Sequence, residues 1–127
     1  MEECFEDCLG LKRIYEPPHP ADGKRILVDR LWPRGVSKES AAIDHWFKDI
    51  APNPELRQWF GHKPERFIEF RKRYVQELTE DPIHMIHVDQ IRGWASKGQV
   101  TLLYAAKDSV HNHAVVLQDY VRSIESL

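Results

Sequence analysis

Arg25-Ile26-Leu27-Val28-Asp29-Arg30-Leu31-Trp32 has a continuous aliphatic centre at Ile26 to Val28, without the polar alternation of a half-solvated strand. A short run of this kind fits a strand covered on both faces, as in a parallel sheet. Pro33 and Gly35 follow and mark a tight turn, because proline presets its own φ and glycine tolerates the exit geometry. The same signature returns at Val100 to Ala105, around Leu102-Leu103. A shorter strand candidate, Leu11 to Tyr15, is stopped by Pro17-Pro18.

Helical patterns fill the space between these strands. Ser37 is placed to cap a short turn through Ala42, and Glu55 to Phe60 reads as a short helix stopped by Gly61. Pro64 to Leu78 is the clearest helix, with proline in its first turn and Phe67, Phe70, Tyr74 and Leu78 on one stripe. Ile83 to Ser96 is a weaker helix. Asn112 to Ile124 closes the chain, with Ala114, Leu117, Val121 and Ile124 on one side. Ile43 to Ile50 reads either as a short strand or as an irregular connector. Long helical crossovers between buried strands predict an α/β fold, a small mostly parallel sheet flanked by helices. Residues 11–127 read as its single domain, after a flexible N-terminal tail over 1–10.

The chain of 127 residues carries 18 basic and 20 acidic side chains, a formal charge of −2, so it lacks the basic excess of a nucleic-acid binder. No apolar run approaches the roughly 20 residues that span a bilayer. The first residues, Met1 to Asp7, are acidic rather than basic, and a cytoplasmic location is expected. Cys4 and Cys8 share one helical face by spacing, but no second cysteine pair completes a thiolate site. The pairs His111/His113 and His84/His87 lack carboxylates at a defined spacing, so no metal and no cofactor is expected. Gly-rich phosphate loops, nucleophile elbows and H-E-x-x-H patterns do not occur.

Chemistry in an open parallel sheet sits beyond the carboxyl ends of its strands. Two such ends are unusually polar here: Asp29, Arg30 and Arg34 after the first run, and Lys107, Asp108, Asn112 and His113 after the second. Should the two strands be neighbours, these residues converge on an anion site. Arg30, Arg34, Lys107 and Asn112 are the ligand-binding candidates, because guanidinium and ammonium groups match carboxylate or phosphate oxygens. His113 is the candidate proton carrier, oriented by Asp29 or Asp108. Each also has a plainer reading: Arg30 as a strand-end ion pair, Arg34 as a solvated turn residue, Asn112 as a helix cap and His113 as a packed histidine.

The blocks I-Y-E-P-P (Ile14 to Pro18), L-V-D-R-L-W-P-R-G-V-S-K (Leu27 to Lys38), L-R-Q-W-F-G-H (Leu56 to His62), T-L-L-Y-A-A-K-D (Thr101 to Asp108) and N-H-A-V-V-L (Asn112 to Leu117) resemble the YeaO-like family, domain of unknown function 488. The resemblance runs from about Ile14 to the C-terminus. It implies a small cytosolic α/β protein of bacterial or archaeal type, in a group with no settled activity. It also implies a departure: wider relatives carry a C-H-R block where this chain has Asn112-His113-Ala114, which removes the obvious thiol nucleophile. The expectation is a binding domain or enzyme for a small anion, phosphate- or nucleotide-like. The alternative is a non-catalytic interaction module for protein or nucleic acid, using the basic cluster Arg66, Arg71, Lys72 and Arg73. The sequence leaves the oligomeric state open.

Overall fold

In the computed structural model, which describes residues 8–125, four strands and five helices follow one another along the chain. The strands are β1 (Leu9–Arg13), β2 (Lys24–Leu27), β3 (His45–Trp46) and β4 (Val100–Tyr104). The helices are α1 (Lys38–Ala41), α2 (Pro54–Phe60), α3 (Phe67–Glu80), α4 (Pro82–Ala95) and α5 (His113–Glu125). All strand pairings are parallel, in the order β1-β4-β2-β3. The two aliphatic runs form its central pair, with Ile26 opposite Leu102 and Leu27 opposite Leu103, and all four residues are fully buried. The chain is thus a single α/β domain built on a parallel sheet.

Alternate side chains of the sheet leave on opposite faces. Ile26, Val28, Val100, Leu102 and Tyr104 meet the main core with Phe70, Tyr74, Leu78, Val88, Ile91, Leu117 and Val121. Leu27 and Leu103 point the other way, into a smaller cluster with Ile14 and Ala41, covered by Trp32, Val36 and Ile43. Burial on both faces explains why neither run alternates. None of the described helices is long and apolar enough to cross a membrane.

The boundaries differ from the sequence expectation where side chains compete with the backbone ladder. β1 starts at Leu9 rather than Leu11, so Leu9 and Gly10, expected in the tail, pair with Val100 and Thr101. β2 stops at Leu27 rather than Trp32, because one position past Val28 the Ala105 amide is taken by the Asp29 carboxylate instead of a strand carbonyl (3.0 Å). The ambiguous stretch Ile43 to Ile50 resolves into the two-residue edge strand β3 and a 3-10 turn over Lys48–Ile50. The helix expected over Pro64 to Leu78 begins as a 3-10 turn, Pro64–Arg66, and runs on to Glu80. Cys4 and the side chain of Ile124 fall outside what the structure describes.

Candidate functional site

Because β2 and β4 are parallel neighbours, the chain leaves both at the same end of the sheet, and their polar tips border one cleft of about 550 Å³. Six of the seven sequence candidates line it: Asp29, Arg30, Lys107, Asp108, Asn112 and His113. Arg34 does not. The turn around Pro33 and Gly35 (φ 78°) carries it away from the mouth, where it is exposed and its carbonyl accepts from the Tyr15 hydroxyl at 3.0 Å.

His113 opens α5 and reaches back across the sheet. Its Nε2 lies 2.9 Å from the Val28 carbonyl oxygen and 3.2 Å from Asp29 Oδ1. Two acceptors on one ring nitrogen require that nitrogen to carry the hydrogen, so Nε2 is the donor and the neutral ring keeps its lone pair on Nδ1. The hydrogen is aimed at Val28, which leaves Asp29 Oδ1 buried without a hydrogen bond of its own. Asp29 Oδ2 holds the Ala105 amide, and Trp46 Nε1 donates to the Asp29 carbonyl at 2.7 Å. Of the two carboxylates expected to orient His113, the structure brings Asp29 to it.

Asp108 is committed elsewhere. Its Oδ1 accepts from the Val110 and His111 amides, each at 2.9 Å, and its Oδ2 lies 2.9 Å from His111 Nδ1. The bond from the His111 amide is the largest influence, followed by that from Val110, and they hold this carboxyl at about 2, well below its usual range. This is a local turn, the kind a short acidic side chain forms with amides two and three residues on. Asn112 is similarly engaged: buried, it caps α5 through the Val115 amide (3.0 Å) and donates to the Asp108 carbonyl (2.8 Å). The start of the last helix is therefore organised by its own side chains.

Arg30 serves the wall of the cleft. Its Nη2 donates to the carbonyls of Ala51 and Pro52, both at 3.2 Å, with Asp49 more distant at 3.9 Å. His84, buried behind, has Nε2 3.0 Å from the same Ala51 oxygen. Lys107 differs: it is exposed at the rim and has no ion-pair partner among the described residues.

The opposite wall was missed by sequence reasoning. Arg57 from α2 and His62 just after it line the cleft, over a floor that includes Phe60, Phe70 and Pro52. Arg57, like Lys107, is exposed and without an ion pair among the described residues. Gly61 (φ 53°) and His62 (φ 57°) are successive left-handed residues, and the reversal they make brings His62 round to the mouth. The block Leu56 to His62 contained both polar residues. Nothing in its spacing said that α2 would face the tips of β2 and β4.

Elsewhere, a larger and more open hollow of about 640 Å³ lies between α2 and α3; none of the candidates at the strand tips lines it, and Arg73 of the basic cluster does. Three members of the basic cluster on α3 and the turn before it have partners within the molecule. Arg71 pairs with Asp119 at 3.3 Å, and Arg73 with Glu69 at 2.8 Å. Arg66 and Arg73 both lie over the Trp59 ring, at 5.1 and 4.6 Å from its centre.

A family model described as "Inactive DUF488-N3 subclade" matches residues 8–125. The chain is similar to the uncharacterized protein YeaO of Escherichia coli K12, 44% identical over 116 residues that cover 91% of this chain and 98% of that one. It is also similar to the uncharacterized protein Rv3073c of Mycobacterium tuberculosis H37Rv, 41% identical over 112 residues, 88% and 92% of the two chains. No solved structure matches it.

Proposed function

We infer, for a chain that belongs to the YeaO-like DUF488 family and within it to the inactive DUF488-N3 subclade, that the cleft is a non-catalytic site for a small organic anion, phosphate- or nucleotide-like. One observation carries this reading: Lys107 and Arg57, two cations with no ion-pair partner among the described residues, come from separate elements to border one cleft. Such donors match carboxylate or phosphate oxygens. Phe60, Phe70 and Pro52 beneath them suit an apolar body attached to the anion.

Binding without turnover is favoured by what the cleft holds. Asp29 and His113 make a proton-handling pair, but the described lining residues include no serine, threonine or cysteine to act as nucleophile. The family's description as inactive speaks the same way. The internal pairing of Arg66, Arg71 and Arg73 favours this reading over nucleic-acid binding through α3. Cytoplasmic residence belongs to the same proposal.

The test is a thermal-shift screen of nucleotides, sugar phosphates and carboxylates. A ligand at a hundred times its dissociation constant stabilises by about 2.7 kcal/mol, a shift of several degrees in a chain of this size. Lys107→Ala and Arg57→Ala, both at exposed positions, are each expected to weaken binding roughly tenfold and so cut the shift to about half, without altering the unliganded melting point. A shift that both variants retain undiminished moves the ligand out of this cleft, and a blank screen removes the reading.

A further inference from the structure

We propose that the cleft takes a phosphomonoester dianion through the imidazolium form of His113, so that binding loads one proton onto the protein. This deepens the anion-site reading and rests on it. The geometry of the ring is what points there. Nε2 is occupied by its hydrogen in every state, because Val28 O and Asp29 Oδ1 both face it. Only Nδ1 can change. It has no hydrogen-bond partner among the described residues and is not sealed in the core, and His113 lines the cleft. A neutral ring presents a lone pair there, which repels an anionic oxygen, whereas a protonated ring presents a charged donor.

The charges around His113 suit a dianion once the ring is protonated. After β2 stand Asp29, within 3.2 Å, and Arg30; from α2 and the turn after it come Arg57 and His62. The connection from β4 to α5 supplies Lys107 and Asp108, with His111 turned onto Asp108. From α3, Tyr74 meets the imidazole edge-on at 6.2 Å, its hydroxyl donated to the Ile50 carbonyl at 2.7 Å. Three lining cations against two lining carboxylates leave one positive charge when the histidines are neutral. Protonated His113 makes two, which a dianion cancels. Asp29 Oδ1, buried and without a hydrogen bond, gains a full positive charge beside it in that state.

The experiment is calorimetric titration with phenyl phosphate, whose ring suits the Phe60 and Phe70 floor. At about pH 8 it is almost wholly dianionic, since the second phosphate ionisation lies near 6. Repeating the titration in buffers of different ionisation heat counts the protons taken up. The expected result is an uptake approaching one per phenyl phosphate, and an affinity that weakens by up to about tenfold per pH unit as the ring must be protonated against a falling proton supply. His113→Gln is expected to bind more weakly and take up none. Lys107→Ala is expected to lose roughly tenfold in affinity and keep the uptake, and His62→Gln to keep the uptake, which covers the case in which His113→Gln does not fold. Binding with no buffer dependence and a flat pH profile overturns the proton-loading proposal and leaves the anion site standing. Uptake that survives in His113→Gln overturns it too, and uptake lost in His62→Gln assigns the proton to the other wall. Absence of phenyl phosphate binding to the unmodified protein overturns both readings.

Discussion

Asp29 and Asp108 looked interchangeable as partners for His113, and their surroundings separate them. Asp108 finds two amides within three residues of itself, so the local turn captures it whatever the rest of the chain does. Asp29 has no such local option and instead takes the Ala105 amide and stands beside His113. Asp29→Ala strands the Ala105 amide and is expected to cost about 1–3 kcal/mol in urea unfolding, with Asp29→Asn costing less because an acceptor remains. Gly23 is a second position where one atom decides. Its φ is 64°, and a Cβ there would sit 2.2 Å from the Gln99 carbonyl oxygen, which is backbone and hydrogen-bonded to Lys24. Gly23→Ala is expected to destabilise by at least about 1–3 kcal/mol, read from the denaturant midpoint.

At the scale of elements, caps and stripes were legible and the ends of strands were not. Asn53 caps α2 by accepting from the Leu56 amide at 2.8 Å, and its own amide groups donate to Glu77 of α3. That double use ties the wall of the cleft to the longest helical pattern in the sequence. Phe70 and Tyr74 lie on the predicted stripe of α3 and are fully buried, and Phe70 also floors the cleft. Phe70→Ala is expected to lose about 3–5 kcal/mol by calorimetric or denaturant unfolding. β2 ended early because Asp29's side chain substitutes for ladder bonding, and a hydropathy pattern does not contain that competition.

Across the molecule, a buried polar cluster joins the sheet. Asp22 pairs with Arg25 at 2.6 Å and Lys12 at 3.1 Å, while its carbonyl accepts from Thr101 at 2.7 Å. Burial pushes the Asp22 carboxyl up, but bonds from the His19 amide, Lys12 and Arg25 outweigh it, so its titration is held below the usual range. Asp22→Asn leaves the buried Arg25 without its ionic partner and is expected to cost about 3–5 kcal/mol. Asp22 and Asp108 both titrate lower when folded than the ordinary 3.8. Their contribution is therefore complete above that value and is lost as pH falls through the folded one, which for Asp108 is about 2. Glu77 acts in the opposite sense, since burial raises it and its protonation favours the fold. Urea midpoints should hold steady from neutrality to about pH 4 and fall toward pH 2, with a shallower fall in Asp108→Asn.

Local order and patterning determined a good deal without any contact map: the parallel sheet, from two aliphatic runs buried on both faces; the helices, from apolar spacing; the family, from its blocks; and six residues of the cleft, from polar strand tips. Only the folded chain decided which side chains bordering the cleft are already committed to other partners. Arg30 is bound to the Ala51 and Pro52 carbonyls, Asp108 and Asn112 to neighbouring backbone, and Arg34 lies outside, while Lys107, Arg57 and His113 Nδ1 remain available. The reason is physical. Capping and patterning act between residues a few positions apart, whereas His113 meets Val28 across 85 positions and Asp29 meets Ala105 across 76. Such distant pairs are chosen by the path of the whole chain.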